Sequence, residues 1–328
     1  MRTLLLSVTT FIAFVGAAQA EMSEVQRDTI VRRACEAAIW RMPAVAVYDI
    51  EQAMQRDAGA APGVVAYMSA PMDSRHGFLT ANDVTPYAIA GLTTKDGPIV
   101  IEIPPAGDQG GILRDVGQRL ASSYRGRWDD RRRRRPGGKY LILPPDYDGP
   151  VPDEGYLTYR SNTYGVHFGL RPVAKNDGTH ADQADYAQTL KWYPFADADN
   201  PPPTEFFDMK KNPVNNLPVY DMTYFNDLNT VVQREPVLEQ DKAMMGLLAS
   251  ISIERGQPFD PAENMQAALL EGLDCAYDTL QARFVTEGGG FAKIWEDLQW
   301  GAFAINPKQA KLGFPFTDEN KVLLDERA

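Results

Sequence analysis

Between Val64 and Arg171 the apolar residues arrive in short runs, each closed by Gly or Pro, and this pattern limits the fold more than any other feature. Ala88-Ile89-Ala90-Gly91-Leu92, Ile99-Val100-Ile101-Glu102-Ile103 and Tyr140-Leu141-Ile142-Leu143 are too short for core helices and rich in residues that suit strands. The second run follows a Lys95-Asp96-Gly97-Pro98 turn, and the third ends at Pro144-Pro145. Tyr156 to Tyr159 and Tyr164 to Leu170 continue the series. Frequent punctuation without intervening helical segments predicts a β-sandwich or jelly-roll-like domain rather than alternating βα units.

Both flanks carry a helical period instead. Ser23-Glu24-Val25-Gln26 is a capping box, with Ser23 as N-cap and Gln26 reaching back. Val31, Ala34, Ala38 and Met42 follow at helical spacing; Pro43 predicts a kink or an end, and Ala44 to Met54 a helical continuation toward Gly59. Downstream, helices are predicted over Asp221–Val232 and Pro236–Ile253, and from Asp260-Pro261-Ala262-Glu263 to a stop at Gly288-Gly289-Gly290. Met265, Leu269, Leu273, Ala276, Leu280 and Phe284 form the core stripe of the last one. Residues 174–218 are rich in Asp, Asn and Pro and read as an extended linker, with Pro201-Pro202-Pro203 as a spacer. The predicted class is therefore α+β: an N-terminal helical segment (21–60), a β-sandwich/jelly-roll-like domain (61–173), the linker (174–218) and a helical C-terminal region (219–328).

The first twenty residues belong to a different argument. Arg2, an apolar stretch from Leu4 to Gly16 and the small-x-small site Ala18-Gln19-Ala20 predict a cleavable signal peptide and a mature chain starting at Glu21. The expected location is periplasmic or secreted, with no membrane attachment after cleavage. An oxidising compartment would let the two cysteines, Cys35 and Cys275, pair; both also sit in apolar-periodic segments where buried free thiols are ordinary, so the two alternatives stand side by side. A net charge of −11 excludes nucleic acid as a partner class, because phosphate recognition needs clustered basic charge.

Residues 76–175 resemble the bacterial family known as domain of unknown function (DUF) 1254. The likeness is carried by Leu79-Thr80-Ala81-Asn82-Asp83-Val84-Thr85-Pro86-Tyr87, by Gly97-Pro98-Ile99-Val100-Ile101-Glu102-Ile103-Pro104, by Gly138-Lys139-Tyr140-Leu141-Ile142-Leu143-Pro144-Pro145, and by Arg160-Ser161-Asn162-Thr163-Tyr164 through to Arg171. The resemblance implies a β-sandwich and no established chemistry. The helices from Asp221 to Phe284 look like the segment that leads, in that family, into a second β domain (DUF 1214), and the sequence ends about where that domain would begin. A separately encoded DUF 1214-type β domain, or self-association, is the partner this implies, through Phe291, Ile294, Trp295, Leu298, Trp300, Phe303, Phe314 and Phe316. Residues 112–135 depart from the family pattern and end in Arg131 through Arg135, read as a solvated loop of repelling charges or as a stretch translated out of frame.

Candidate chemistry is sparse. The three histidines, His76, His167 and His180, show no zinc spacing, and there is no Gly-x-Ser-x-Gly elbow, P-loop or Gly-x-Gly-x-x-Gly; neither metal nor cofactor is expected. Asn82, Thr85 and Tyr87 lie in the best-matched motif. Arg160, Tyr164 and Arg171 flank a strand pair, where the two arginines could form a carboxylate-binding fork. His167 falls opposite Val166 and Phe168 on its strand, on the same face as Arg171. Two functions follow: a binding module for a small polar ligand or partner β domain, or a metal-independent hydrolase-like enzyme built on Asn82, Tyr87, Arg160 and His167. Convergence of those four residues would favour the enzyme; scatter would favour the module.

Overall fold

The structure is a computed structural model describing residues 22–78, 86–104, 110–115, 120–123, 137–172, 178–285, 291–293, 297 and 301–303; side chains are not described in 110–115, 120–123, 283–285, 291–293 and 301–303. The signal-peptide region, Asn82, Thr85, Arg131–Arg135 and most of the aromatic tail lie outside these residues. The elements are α1 (Glu24–Ala58), β1 (Val65–Tyr67), β2 (Ala88–Thr93), β3 (Ile99–Ile103), β4 (Gly110–Asp115), β5 (Leu120–Ser123), β6 (Gly138–Leu143), β7 (Leu157–Arg160) and β8 (Gly165–Arg171). Then come α2 (His180–Ala187), β9 (Lys191–Pro194), β10 (Phe206–Asp208), α3 (Met222–Arg234), α4 (Lys242–Ala249), α5 (Glu263–Val285), β11 (Phe291–Lys293) and β12 (Gly301–Phe303). The class is α+β, as the periodicities predict.

Two sheets face each other, in the strand orders β10-β1-β2-β8-β4-β5 and β7-β6-β3-β9. Val65, Ala90 and Leu92, with Val166, Phe168 and Leu170, meet Ile99, Ile101, Tyr140 and Ile142 between them. The outer faces are also covered. Ala66, Met68 and Ile89 pack under Ala53 and Met54 of α1, and Val100, Leu141 and Leu143 pack under Tyr147, Tyr156 and Phe195. Burial on both sides explains why β2, β3 and β6 read as continuous apolar runs rather than alternating ones.

α1 belongs to both halves of the molecule. Its capping box at Ser23 and its left-handed Gly59 C-cap close both ends as the sequence predicts. Pro43 neither ends nor divides it. The helix persists because both halves are anchored: Ile30 to Val45 pack against α3, α4 and α5, while Ala53 and Met54 pack on the sheet. That burial outweighs the one hydrogen bond a proline forfeits. Gly272 sets the closeness of α5 to α1. A Cβ there would come within 2.7 Å of the Val31 carbonyl and closer still to Ala34 Cβ.

Three expectations change. Residues 174–218 are not a bare linker: they contribute α2 and two strands, with β9 extending the smaller sheet beside β3 and β10 pairing parallel with β1. Part of the basic stretch 112–135 is also strand, since β4 and β5 form an edge hairpin beside β8. The helix expected over Pro236–Ile253 shrinks to α4 after a 3₁₀ turn at Glu239–Asp241. Cys35 and Cys275 form a disulfide, with Cα atoms 5.6 Å apart, which ties α1 to α5.

Candidate functional site

β8 is the organising strand. With Val166, Phe168 and Leu170 turned into the sandwich, the two-residue period puts His167 and Arg171 on the α1 side, as the sequence predicts. The sites around them differ. Arg171 donates from Nη2 to the Tyr87 hydroxyl at 2.8 Å and lies over its ring at 4.7 Å, and Phe78 stacks on that ring at 6.4 Å. His167 sits four residues along the strand, opposite Gly91 of β2 and Arg114 of β4. The Glu51 side chain from α1 occupies the space that a Cβ on Gly91 would fill, and its carboxylate lies 3.6 Å from Arg234 of α3.

Arg160 does not join this group. β7 and β8 are in different sheets rather than paired, so the expected fork of Arg160 with Arg171 does not form. Arg160 donates instead to the Pro144 and Pro145 carbonyls at 3.0 and 3.3 Å. Tyr164 lies just before the start of β8, seven residues from Arg171 at its other end, or about 23 Å along an extended chain. Its hydroxyl donates to Asp146 at 2.7 Å, and Lys95 sits 4.0 Å over its ring. Tyr87, Arg160 and His167 thus occupy separate places.

The start of β8 is where the β and helical parts join. Glu235, just past the end of α3, is buried, and its carboxylate accepts from the Tyr164 N–H at 2.7 Å and the Gly165 N–H at 3.1 Å. Burial pushes its pKa up, while those two donors pull the other way. Beside it lies a small, partly open depression of about 20 Å³. Val231, Val232, Val237, Leu238 and Met245 form an apolar wall, and Arg41, Thr163, Glu235 and Asp241 supply polar groups. Arg41 reaches from α1 to Asp241 at 3.5 Å and lies 3.9 Å from the centre of the Trp40 ring. Both members of that ion pair are largely withdrawn from water. An apolar wall with a few converging polar groups resembles the lining of a small-molecule site, at the scale of a small polar group. Sequence reading missed Arg41, Glu235 and Asp241. One signal was available: Arg234-Glu235-Pro236 places an acid at a helix C-terminus, against the dipole, which calls for compensating donors.

A second polar layer lies between α1 and α3. Burial, and then the neighbouring Asp227 carboxyl, push Asp49 up to about 7. Burial also raises Asp227, Glu51 and Tyr48. Among the described residues no group of three His, Cys, Asp or Glu is placed to hold a metal ion, and no helix is long and apolar enough to cross a membrane.

Comparison with known proteins gives a fold and a family-model match to one segment. The chain is similar in structure to the VPA0106 protein from Vibrio parahaemolyticus, with a TM-score of 0.57 at 18% identity, covering 87% of this chain and 67% of that one. At that identity the likeness concerns the fold alone. No curated protein matches the sequence. Residues 63–194, from the loop before β1 to the end of β9, match the family model described as "Protein of unknown function (DUF1254)".

Proposed function

We propose that the protein is an exported binding module that takes a small polar ligand in the cleft between Arg41, Thr163, Glu235 and Asp241. One observation carries the reading: the cleft sets a largely withdrawn Arg41–Asp241 pair against an apolar wall, at the junction of the helical and β parts. Such a pair offers a donor fork and an acceptor in a low-dielectric setting, where polar contacts discriminate strongly. The separation of Arg160 from Tyr87 and His167 supports the binding reading over a hydrolase site that needs them together. The Cys35–Cys275 disulfide agrees with export, because such bonds persist in oxidising compartments.

Thermal shift of residues 21–328 against free amino acids, dicarboxylates and polyols tests the binding reading. A saturable rise in melting temperature that Arg41→Met abolishes supports it; equal shifts in both proteins, or none with any probe, reject it. N-terminal sequencing of extracytoplasmic material tests export. A start at Glu21 supports it, and an intact Met1 rejects cleavage.

A further inference from the structure

We propose that Cys275 is a thiol-exchange site, at which a small thiol opens the Cys35–Cys275 disulfide from the α5 side and becomes attached. The two halves of the bond are unequally placed. Cys35 is 6% exposed and belongs to the buried cluster with Ile39, Leu269 and Leu273, whereas Cys275 is exposed on α5. A helix shields its own backbone, so the exposure of Cys275 falls on Cβ and Sγ. Glu271, Asp274, Asp278 and Thr279 surround it on α5 and are exposed as well, which leaves the approach to its sulfur open among the described residues.

That asymmetry fixes the direction of exchange. A thiolate attacks a disulfide sulfur in line with the bond, from the side away from the leaving sulfur. Attack on Cys275 Sγ therefore comes from solvent, because the leaving sulfur lies inward. Attack on Cys35 Sγ has to come through the helix seam, which is tight: a Cβ on Gly272 would lie 3.0 Å from the Cys35 backbone nitrogen and 2.7 Å from the Val31 carbonyl oxygen. The arriving thiolate bonds to Cys275 Sγ as the bond between the two cysteines breaks. The electron pair leaves on Cys35, which takes a proton from water. A second thiolate can then displace the first at Cys275, giving two protein thiols and one small-molecule disulfide.

Opening the bond leaves the seam in place. Leu269, Leu273 and Ala276 of α5 share the buried cluster with Ala34 and Ala38 of α1, and Arg27 of α1 pairs with Glu271. The product is a folded chain with an accessible thiol or adduct at Cys275 and a buried thiol at Cys35. Access governs thiol reactivity, so Cys35 reacts only with the adduct beside it. That reverse attack expels the small thiol and restores the bond, and the surrounding thiol concentration sets the fraction opened. The exchange does not depend on what the cleft binds, since no residue of α5 lines it.

The test treats folded residues 21–328 with mercaptoethanol over a range of thiol and urea concentrations, followed by an acid quench and peptide mass mapping. The proposal expects a rate of opening that rises in proportion to thiol and stays flat in urea below the unfolding transition, with the adduct on Cys275 alone. Opening only in step with unfolding, or an adduct on Cys35, overturns it. Where the reverse attack removes the adduct before the quench, the variants Cys35→Ser and Cys275→Ser decide. Folded Cys35→Ser, which keeps Cys275, should react with an aromatic disulfide reagent at least about tenfold faster than folded Cys275→Ser. Equal rates overturn the proposal. Should a variant fail to fold, the urea dependence of the wild type decides alone.

Discussion

The Glu235 carboxylate accepts a 2.7 Å hydrogen bond from the backbone N–H of Tyr164, joining the end of α3 to the start of β8 across 71 residues of sequence. The same carboxylate takes the Gly165 N–H, and Arg255 donates to the Glu235 backbone carbonyl. Replacing Glu235 by Ala strands donors at the start of a central strand. Each buried donor left unmade costs about 1–3 kcal/mol, so Glu235→Ala should lower unfolding free energy by at least that amount. Glu235→Gln keeps an acceptor oxygen and should lose less. Urea unfolding of the three proteins measures the order; equal stability would show that the junction does not rely on this residue.

Gly272 offers a prediction in which two effects oppose each other. Glycine inside a helix costs about 1 kcal/mol relative to alanine, so propensity alone favours Gly272→Ala. A methyl group at this position, however, meets Ala34 Cβ and the Val31 carbonyl of α1. Overpacking of that kind costs about 1–3 kcal/mol, and backbone cannot yield as a flexible side chain would. Gly272→Ala should therefore destabilise the protein, read as a lower urea midpoint; a rise would mean that α5 can slide away freely.

The Cys35–Cys275 bond spans 240 residues and ties α1 to α5. Removing a native disulfide from a small secreted domain typically costs about 2–5 kcal/mol. Adding a strong reductant, or making Cys35→Ser with Cys275→Ser, should lower the unfolding midpoint by an amount in that range. The mechanism is loss of a constraint on the unfolded chain, so the two treatments should agree with each other. An unchanged midpoint would show that the thiols contribute only as packing.

Much of this fold is legible in the chain, for reasons of local chemistry. Ser23 and Gln26 mark the start of α1, and Gly59 its end, because caps depend on side chains a few residues apart. The long strands announce themselves because both faces are buried. Lys191–Pro194 and Phe206–Asp208 do not: strands of three or four residues carry too little pattern, and pairing with β3 and β1 alone makes them strands. Pro43 misleads for the same reason, since packing on two distant clusters decides the path of α1. The site is less legible than the fold. His167 can be placed on its face from alternation, but Arg41 meets Asp241 from 200 residues away, and no spacing rule encodes that. Asn82 and Thr85, drawn from the best-matched motif, lie outside the described residues.

The claim that the junction cleft is the binding site is tested most directly by amide NMR of residues 21–328 titrated with free amino acids, dicarboxylates and polyols. The account predicts saturable shifts for one of these classes at Thr163, Tyr164, Gly165, Val232 and Glu235. Val232→Trp, which fills the cleft from its apolar wall, should abolish them while leaving the rest of the spectrum in place. Saturable shifts centred elsewhere, for instance around Tyr87 and Arg171, or shifts that persist in Val232→Trp, would contradict it.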